Sequence, residues 1–219
     1  MRGMADIKVV SFDMEGTLID DGYSNLIWET DIPRLYGEEH GLDLDTARAK
    51  VLGEYAQVGE DRPEWYDIDY WFKRLGLDYD WRELLRQREG ACIVYSEVPG
   101  VLERMDDEYT LIVSSNTIRD FLDVQLTKLP DVFTEVYSAP SDLKTVKKTD
   151  SFYSRICEEM GVDPSRMAHV GDSLKFDYEE PRKLGIHSFY LDRQGRSSLE
   201  HVVRDLDEFE KKLRFFRQG

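Results

Sequence analysis

Short runs of apolar and β-branched residues alternate along most of the chain with longer stretches of helical periodicity. Four of these runs have the length of one buried strand each and cover residues 7–13, 109–113, 167–171 and 187–191. Helical stretches separate them, and the one over 151–160 ends at Gly161, a residue typical of helix stops. Strands that alternate with helices favour a parallel sheet covered on both faces. The expected fold is therefore α/β, with a Rossmann-like parallel sheet core.

Residues 22–96 interrupt this alternation with a long segment that carries few strand signals. All four tryptophans lie in it, and helical periodicity extends over 24–40, 44–58, 66–75 and 80–90. We expect these helices to pack as a small α-helical bundle, with most of the tryptophans in its core. The predicted division is an α/β core domain of residues 1–21 and 97–219 and a helical cap domain of residues 22–96.

Composition narrows the class of protein. The chain has 219 residues, of which 41% are hydrophobic and 34% charged, as in a soluble protein with a proper core. No apolar run approaches the roughly 20 residues of a membrane span. The net charge of −16 argues against nucleic acid or an anionic membrane as partner, because both reward positive charge. An anionic small substrate stays possible, since a divalent cation can reverse the field within a pocket.

Cysteine usage and the first residues bear on location. Cys92 and Cys157 lie far apart without metal-ligand spacing, which is typical of free buried thiols in a reducing compartment. Residues 1–6 lack the apolar stretch of a signal peptide, and we expect a cytoplasmic protein. The range 197–217 is predicted to be an amphipathic terminal helix region, in which apolar residues recur at helical spacing: Leu206, Phe209, Leu213 and Phe216. That face is expected to pack on the core, and a monomer or a homodimer is compatible with it.

Polar residues follow three of the predicted strands where each one ends. Asp13 ends the first, and Glu15 and Gly16 come next in a sequence that allows a sharp turn. The other two strands end in Ser114-Ser115-Asn116 and in Gly171-Asp172-Ser173, with Asp177 shortly afterwards. Open α/β sheets bind ligands at the carboxyl ends of their strands. Carboxylates collected there suit a metal-assisted nucleophile.

The order of these residues resembles that of the haloacid dehalogenase superfamily of phosphohydrolases. Its first motif is Asp-x-Asp-Gly-Thr, which reads Asp-Met-Glu-Gly-Thr at 13–17, and its second is a Ser or Thr ending a strand, placed at Ser115. The third is a Lys, placed at Lys147 from its distance to Gly161, with Lys148 as the alternative. The fourth is Gly-Asp-Ser followed by Asp, matched at 171–173 and 177. The resemblance extends from residue 7 to about 192, and the insert at 22–96 resembles the cap of one branch.

The resemblance implies a Mg²⁺-dependent phosphomonoester hydrolase that acts on a small phosphorylated metabolite. Asp13 would attack phosphorus and carry an aspartyl-phosphate. The implied ligands of Mg²⁺ are Asp13, Glu15 through its backbone carbonyl, Asp172 and Asp177, the last directly or through water. Ser115 and Asn116 would bind the phosphoryl group, and Lys147 would neutralise charge on it and on the nucleophile.

Glu15 departs from the family pattern, because most family phosphatases have Asp there as general acid and base. Misplacing a catalytic group by about 1 Å can cost on the order of 100-fold in rate. Asp-x-Glu-Gly-Thr also occurs in enolase-phosphatases, so an enolase-phosphatase-like enzyme or a mutase stays an alternative. So does a catalytically impaired phosphate-sensing or partner-binding protein. Single residues also have simpler interpretations: Ser115 and Asp172 as helix caps, the lysines as a solvated face, and His169 as a hydrogen-bonded core residue.

Overall fold

The computed structural model describes residues 6–217, and within them six strands form one sheet. The strands are β1 (Val9–Phe12), β2 (Thr110–Ser115), β3 (Phe133–Ser138), β4 (Met167–Gly171), β5 (His187–Leu191) and β6 (Val202–Val203). All neighbours are parallel, in the order β3-β2-β1-β4-β5-β6. The predicted α/β class is confirmed. The strand order reverses between β1 and β4, the place where open α/β sheets form a ligand crevice.

The inserted segment between β1 and β2 is helical, as predicted. Its helices are α1 (Gly22–Leu26), α2 (Ile32–His40), α3 (Leu44–Val58), α4 (Ile68–Leu75) and α5 (Trp81–Gln87). A π-helical turn at Ile27–Asp31 joins α1 to α2, and short 3₁₀ turns lie at Pro63–Tyr66 and Glu89–Ala91. The aspartates that precede α3, α4 and α5 each accept a backbone N–H with their side chain, which explains where these helices begin. The domain boundaries at 22 and 96 stay a prediction.

Five further helices belong to the α/β part: α6 (Val98–Asp106), α7 (Arg119–Leu126), α8 (Asp150–Met160), α9 (Glu180–Arg182) and α10 (Leu206–Arg217). One face of the sheet packs on α6 and α10 through residues such as Phe12 and Leu213. The other face packs on α8, where Val9 and Ile112 share a core with Phe152. Helices therefore cover both faces. Leu206, Phe209 and Leu213 are buried in that core, as expected, while the Phe216 side chain lies outside the described part.

Two strands, β3 and β6, were not predicted from the sequence pattern. β3 is an edge strand whose middle residues Thr134 and Glu135 are exposed, so it lacks the apolar run of a buried strand. β6 has two residues and lies inside the range 197–217, where we predicted helix. That prediction is wrong for 197–205, because α10 begins at Leu206, where Asp205 accepts the backbone N–H of Glu208 at 2.7 Å. Between residues 6 and 217, no helix combines the length and apolarity needed to cross a membrane.

The register of the central strands determines which residues meet at the sheet edge. Phe12 pairs with Val113 on one side and with Val170 on the other. The next residues along these strands are Asp13, Ser114 and Gly171, so they lie side by side. The N–H of Asp13 still donates to the carbonyl of Val170 at 3.0 Å, which extends the ladder by one bond. The first carboxylate is thereby held at the crevice between β1 and β4.

Candidate active site

Three aspartates from two strand ends form a cluster at this crevice. Asp13 follows β1, while Asp172 and Asp177 follow β4, and one carboxylate oxygen of each lies within 4.8 Å of the others. Asp13 and Asp177 are buried, whereas Asp172 is exposed. The three oxygen atoms could together hold a hard cation such as Mg²⁺, which binds oxygen ligands.

A buried lysine lies inside the cluster. The Lys148 ammonium is 2.5 Å from both Asp13 Oδ1 and Asp177 Oδ1 and donates to the carbonyl of Ser114 at 3.0 Å. Burial would lower the pKa of Lys148, but the two carboxylates outweigh it and hold the pKa above its usual range, so the side chain stays charged. The backbone N–H of Lys148 donates to Asn116 Oδ1 at 2.8 Å, which ties this loop to the end of β2.

Lys147 lies elsewhere, which corrects the choice that we made between the two lysines. Its ammonium is 2.9 Å from Glu60 Oε2 and close to Asp61, both on the inserted segment. It also lies over the ring of Phe176. The distance along the chain to Gly161 cannot separate neighbouring residues, whose side chains leave the backbone in different directions.

Asp177 is anchored on both carboxylate oxygens. Oδ1 lies 3.0 Å from His169 Nε2 in addition to Lys148, and Oδ2 accepts the backbone N–H of Ser173 at 2.9 Å. Burial alone would raise the pKa of Asp177, yet the charge of Lys148 and the hydrogen bond from His169 hold it well below its usual range. His169 is fully buried and hydrogen-bonded, as expected from its strand position, and its Nδ1 lies 2.9 Å from Ser11 Oγ. Asp177 thus fixes the lysine in place.

The other two aspartates have raised pKa values. Desolvation raises the pKa of Asp172 to about 7, and repulsion from Asp177 adds to it. Burial also raises the pKa of Asp13, against the opposing charge of Lys148. Both shifts mark a place where additional positive charge would be favourable.

Two glycines make room for the carboxylates. Gly16 has φ +73°, and a Cβ there would come within 2.2 Å of Asp172 Oδ2. A Cβ on Gly171 would lie 2.4 Å from Asp177 Cγ. Glycine at these positions lets the side chains approach the backbone of the neighbouring segment.

Glu15 turns away from the aspartates. Its Oε1 accepts hydrogen bonds from the Ser24 hydroxyl in α1 and from Gln125 Nε2 in α7, the latter at 2.5 Å. Burial raises the pKa of Glu15. The turn that carries Glu15 is braced by Arg193, which donates to the carbonyls of Gly16 and Thr17. Sequence reasoning missed Ser24 and Gln125, because they are remote in sequence and belong to no motif.

The two polar residues at the end of β2 have local partners. The Ser115 hydroxyl accepts the backbone N–H of Thr117 at 3.1 Å, within the loop that follows β2. It does not cap α7, whose N-cap residue is Ile118, so the alternative interpretation of Ser115 as a helix cap is wrong. Asn116 uses its carbonyl oxygen to position Lys148. Ser114, which the motif comparison did not select, contributes the carbonyl that accepts from Lys148.

A cavity of about 490 Å³ opens beside Glu15. It lies between the inserted helices and α7, and Asn116 and Thr117 line it from the end of β2. Six aromatic side chains form much of its wall: Trp28, Tyr55, Trp65, Tyr66, Trp71 and Phe121. Three of the four tryptophans, Trp28, Trp65 and Trp71, thus reach the cavity. All four also belong to the core of the helical bundle or pack against it, as expected.

The chain is similar to several proteins over different spans. The solved structure of a HAD phosphatase from Thermococcus onnurineus superimposes with a TM-score of 0.82 at 26% identity, covering 94% of this chain and 98% of that one. The Aliivibrio fischeri phosphoglycolate phosphatase is 28% identical over 85% of this chain and 84% of its own length. The Escherichia coli GMP/IMP nucleotidase YrfG is 34% identical over 73 residues, 33% of this chain.

The match to YrfG spans about a third of that protein's length (32%). The sequence model of one protein family, the haloacid dehalogenase-like hydrolases, matches residues 7–185. This range includes β1, the inserted helices and every member of the aspartate cluster. Since this range is most of the chain, the protein belongs to the family of haloacid dehalogenase-like hydrolases.

Proposed function

We propose that this hydrolase is a Mg²⁺-dependent phosphomonoester hydrolase in which Asp13 is the nucleophile. The observation that carries the proposal is the buried Lys148 ammonium, 2.5 Å from Asp13 Oδ1 and from Asp177 Oδ1, with the exposed Asp172 in the same cluster. Phosphoryl transfer needs a positioned nucleophile and positive charge against the phosphoryl oxygens. This cluster has both.

The reaction has two steps on the residues of this chain. A carboxylate oxygen of Asp13 bonds to phosphorus while the bond from phosphorus to the leaving oxygen breaks, and that oxygen takes a proton from Glu15. Water then attacks phosphorus and gives one proton to Glu15 while the bond between phosphorus and the Asp13 oxygen breaks, which releases phosphate and restores both residues. Lys148 opposes the negative charge on Asp13 and on the phosphoryl group throughout.

The donor set fits a hard divalent cation. Every candidate ligand is an oxygen, and the three carboxylates outnumber the single buried ammonium. Asp13, Asp172 and the backbone carbonyl of Glu15 would hold Mg²⁺. Asp177 would contribute through water, because both of its oxygens already accept hydrogen bonds. When bound, Mg²⁺ would supply charge neutralisation at the phosphoryl oxygens.

Relatives support the chemistry and differ on the leaving group. The Escherichia coli protein is named a GMP/IMP nucleotidase and the Aliivibrio fischeri protein a phosphoglycolate phosphatase. Both names describe removal of phosphate from a small ester. Two hydrogen-bond donors hold the unusual Glu15 at the cavity wall, which supports a working acid and base rather than an impaired site.

The test is phosphate release from p-nitrophenyl phosphate with Mg²⁺, with EDTA, and with two aspartate variants. We expect metal-dependent release that Asp13→Asn abolishes. Asp131→Asn, a matched change at an exposed position, should leave the rate unchanged. Release that survives Asp13→Asn, or no release from a folded protein that binds Mg²⁺, would overturn the proposal.

A further inference from the structure

We propose that the aromatic cavity beside Glu15 binds the leaving group and selects phosphomonoesters whose leaving group is uncharged, carries a flat aromatic ring and has about the size of a nucleoside. This inference rests on the proposed function, because it identifies the substrate class of the same site. It is argued from the position of the cavity, the nature of its walls and their charge.

The cavity starts where a leaving group would emerge. Glu15 lines it and stands two residues after the nucleophile Asp13. Asn116, which holds the backbone of Lys148, lines it as well. The acid that protonates the leaving oxygen therefore forms part of the wall, so the remainder of the leaving group extends into the cavity.

The aromatic walls are rigidly arranged. Trp28 from the inserted segment stacks on Phe121 of α7 with ring centroids 5.6 Å apart and planes inclined by 2°. Tyr55 makes edge contacts with Trp28, Trp65 and Trp71 at centroid distances of 6.1, 6.0 and 4.5 Å. The side chains thus hold one another in place, and a flat ring can bind without ordering them first. Aromatic surfaces prefer offset-stacked or edge-on contacts with another ring.

The charge of the lining disfavours leaving groups that carry a negative charge of their own. Among the described residues that line the cavity, the ionisable carboxylates are Glu15 and Glu29, and none is a lysine, arginine or histidine. The guanidinium of Arg48, which contacts the lining, already pairs with Glu29 at 2.9 Å. A leaving group with its own carboxylate or second phosphate would therefore find no unpaired cation in this lining. Neutral polar groups from Ser24, Asn25 and Thr117 suit hydroxyls and ring nitrogens instead.

The volume agrees with this class of leaving group. About 490 Å³ falls within the range of pockets that enclose small organic ligands. A two-carbon acid such as glycolate would leave most of the aromatic wall uncovered. A ring attached to a sugar would cover it.

The first experiment compares kcat/KM for three esters with Mg²⁺ present: guanosine 5′-monophosphate, ribose 5-phosphate and phosphoglycolate. Ribose 5-phosphate keeps the phosphate and sugar but lacks the aromatic ring. We expect the nucleotide to exceed ribose 5-phosphate by at least about ten-fold, the scale of one base stacked on an aromatic side chain. Phosphoglycolate should be the poorest of the three.

Variants of the wall separate ring binding from charge. Trp65→Leu should lower kcat/KM for the nucleotide by about ten-fold and leave ribose 5-phosphate within about two-fold. Leu52 lines the cavity and is 39% exposed, so Leu52→Lys adds a cation there and should raise kcat/KM for phosphoglycolate. Leu44 is on the same helix, 50% exposed and outside the cavity. The matched control Leu44→Lys should leave kcat/KM unchanged for all three esters.

The outcomes distinguish the two proposals. If no ester is hydrolysed, including the activated p-nitrophenyl phosphate, the proposed function fails. If ribose 5-phosphate or phosphoglycolate is turned over as well as the nucleotide, the phosphatase assignment stands and the inference about the cavity fails. A loss in Trp65→Leu that is equal for the nucleotide and for ribose 5-phosphate would also overturn the inference, because it would show a structural effect.

Discussion

Replacing each of two adjacent lysines by methionine tests the arrangement of the cluster directly. Lys148 has a side chain that is 1% exposed and lies between two carboxylates, while the Lys147 side chain is 14% exposed and pairs with Glu60, which is 68% exposed. Methionine keeps the length of the side chain and removes its charge. The two substitutions make the same chemical change at neighbouring residues, so any difference in their effects on stability and activity comes from where each side chain lies.

The two variants should differ in stability by several kcal/mol. Lys148→Met leaves Asp13 and Asp177 buried without their counterion, and breaking a buried pair in this way costs about 3–5 kcal/mol. For a chain of this size each kcal/mol moves Tm by about 2–4 °C, so the expected drop in Tm is about 6–20 °C. Lys147→Met breaks a surface pair worth about 0–1 kcal/mol. Its Tm should fall by no more than about 4 °C.

The activities should separate further. Removing a buried charge that faces the reacting group lowers kcat by about 10²–10³, so Lys148→Met should retain about 0.1–1% of the rate. Lys147→Met should stay within about three-fold of the unmodified protein. Thermal unfolding with EDTA and with Mg²⁺, followed by kcat on p-nitrophenyl phosphate, measures both effects. Mg²⁺ should recover part of the stability lost in Lys148→Met, because a bound cation compensates the unpaired carboxylates.

Two results would refute this reasoning. Equal losses of activity in the two variants would show that the lysines act together or that neither lies beside the nucleophile. A Lys148→Met variant with unchanged Tm in EDTA would show that Asp13 and Asp177 do not depend on this ammonium.

Three further outcomes follow from local geometry. Gly16→Ala should weaken Mg²⁺ binding, measured by calorimetry, by about ten-fold or more, because the added Cβ displaces Asp172. Gly41 has a similar φ of +64° but open space around it, so the control Gly41→Ala should bind Mg²⁺ as the unmodified protein does. Glu15→Gln should lower kcat by about 10²–10⁴ and accumulate a phosphorylated enzyme, detected by mass spectrometry, and a rate within three-fold of the original would contradict a role in proton transfer. Burial raises the pKa of Cys92 to about 11, so at pH 8 the folded protein contains less thiolate than the unfolded chain. Labelling by a thiol reagent should therefore be slow until urea unfolds the protein, and equal labelling rates in both states would contradict the burial of Cys92.

Much of the architecture was predictable from local patterns. The strands at 167–171 and 187–191 have the bounds that their apolar runs indicated, and the helix ending at Gly161 stops where that glycine adopts φ +60°. Buried strands and capped helices have short periods and nearby signals, so a few consecutive residues suffice to indicate them. The strands β3 and β6 were missed because an edge position and a length of two residues leave no such pattern.

The site divides in the same way. The sequence by itself determined that Asp13, Asp172 and Asp177 follow strand ends and must meet at one sheet edge, since parallel strands deliver their ends together. The tertiary structure decided which of two adjacent lysines faces them. That choice depends on the direction of a side chain within a loop, and the loop is positioned by a hydrogen bond from Lys148 to Asn116 across the fold.

The surroundings of Glu15 were also decided by the tertiary structure alone. Its partner Ser24 belongs to the first inserted helix and Gln125 follows β2, and only the packing of the inserted helices on α7 brings them to one carboxylate. The same packing gives tryptophans of the bundle core a second role as the wall of a cavity. Periodicity shows that a side chain is apolar and on a given face of its helix. Whether that face meets another helix or a cavity depends on contacts between segments distant in sequence, which no local pattern contains.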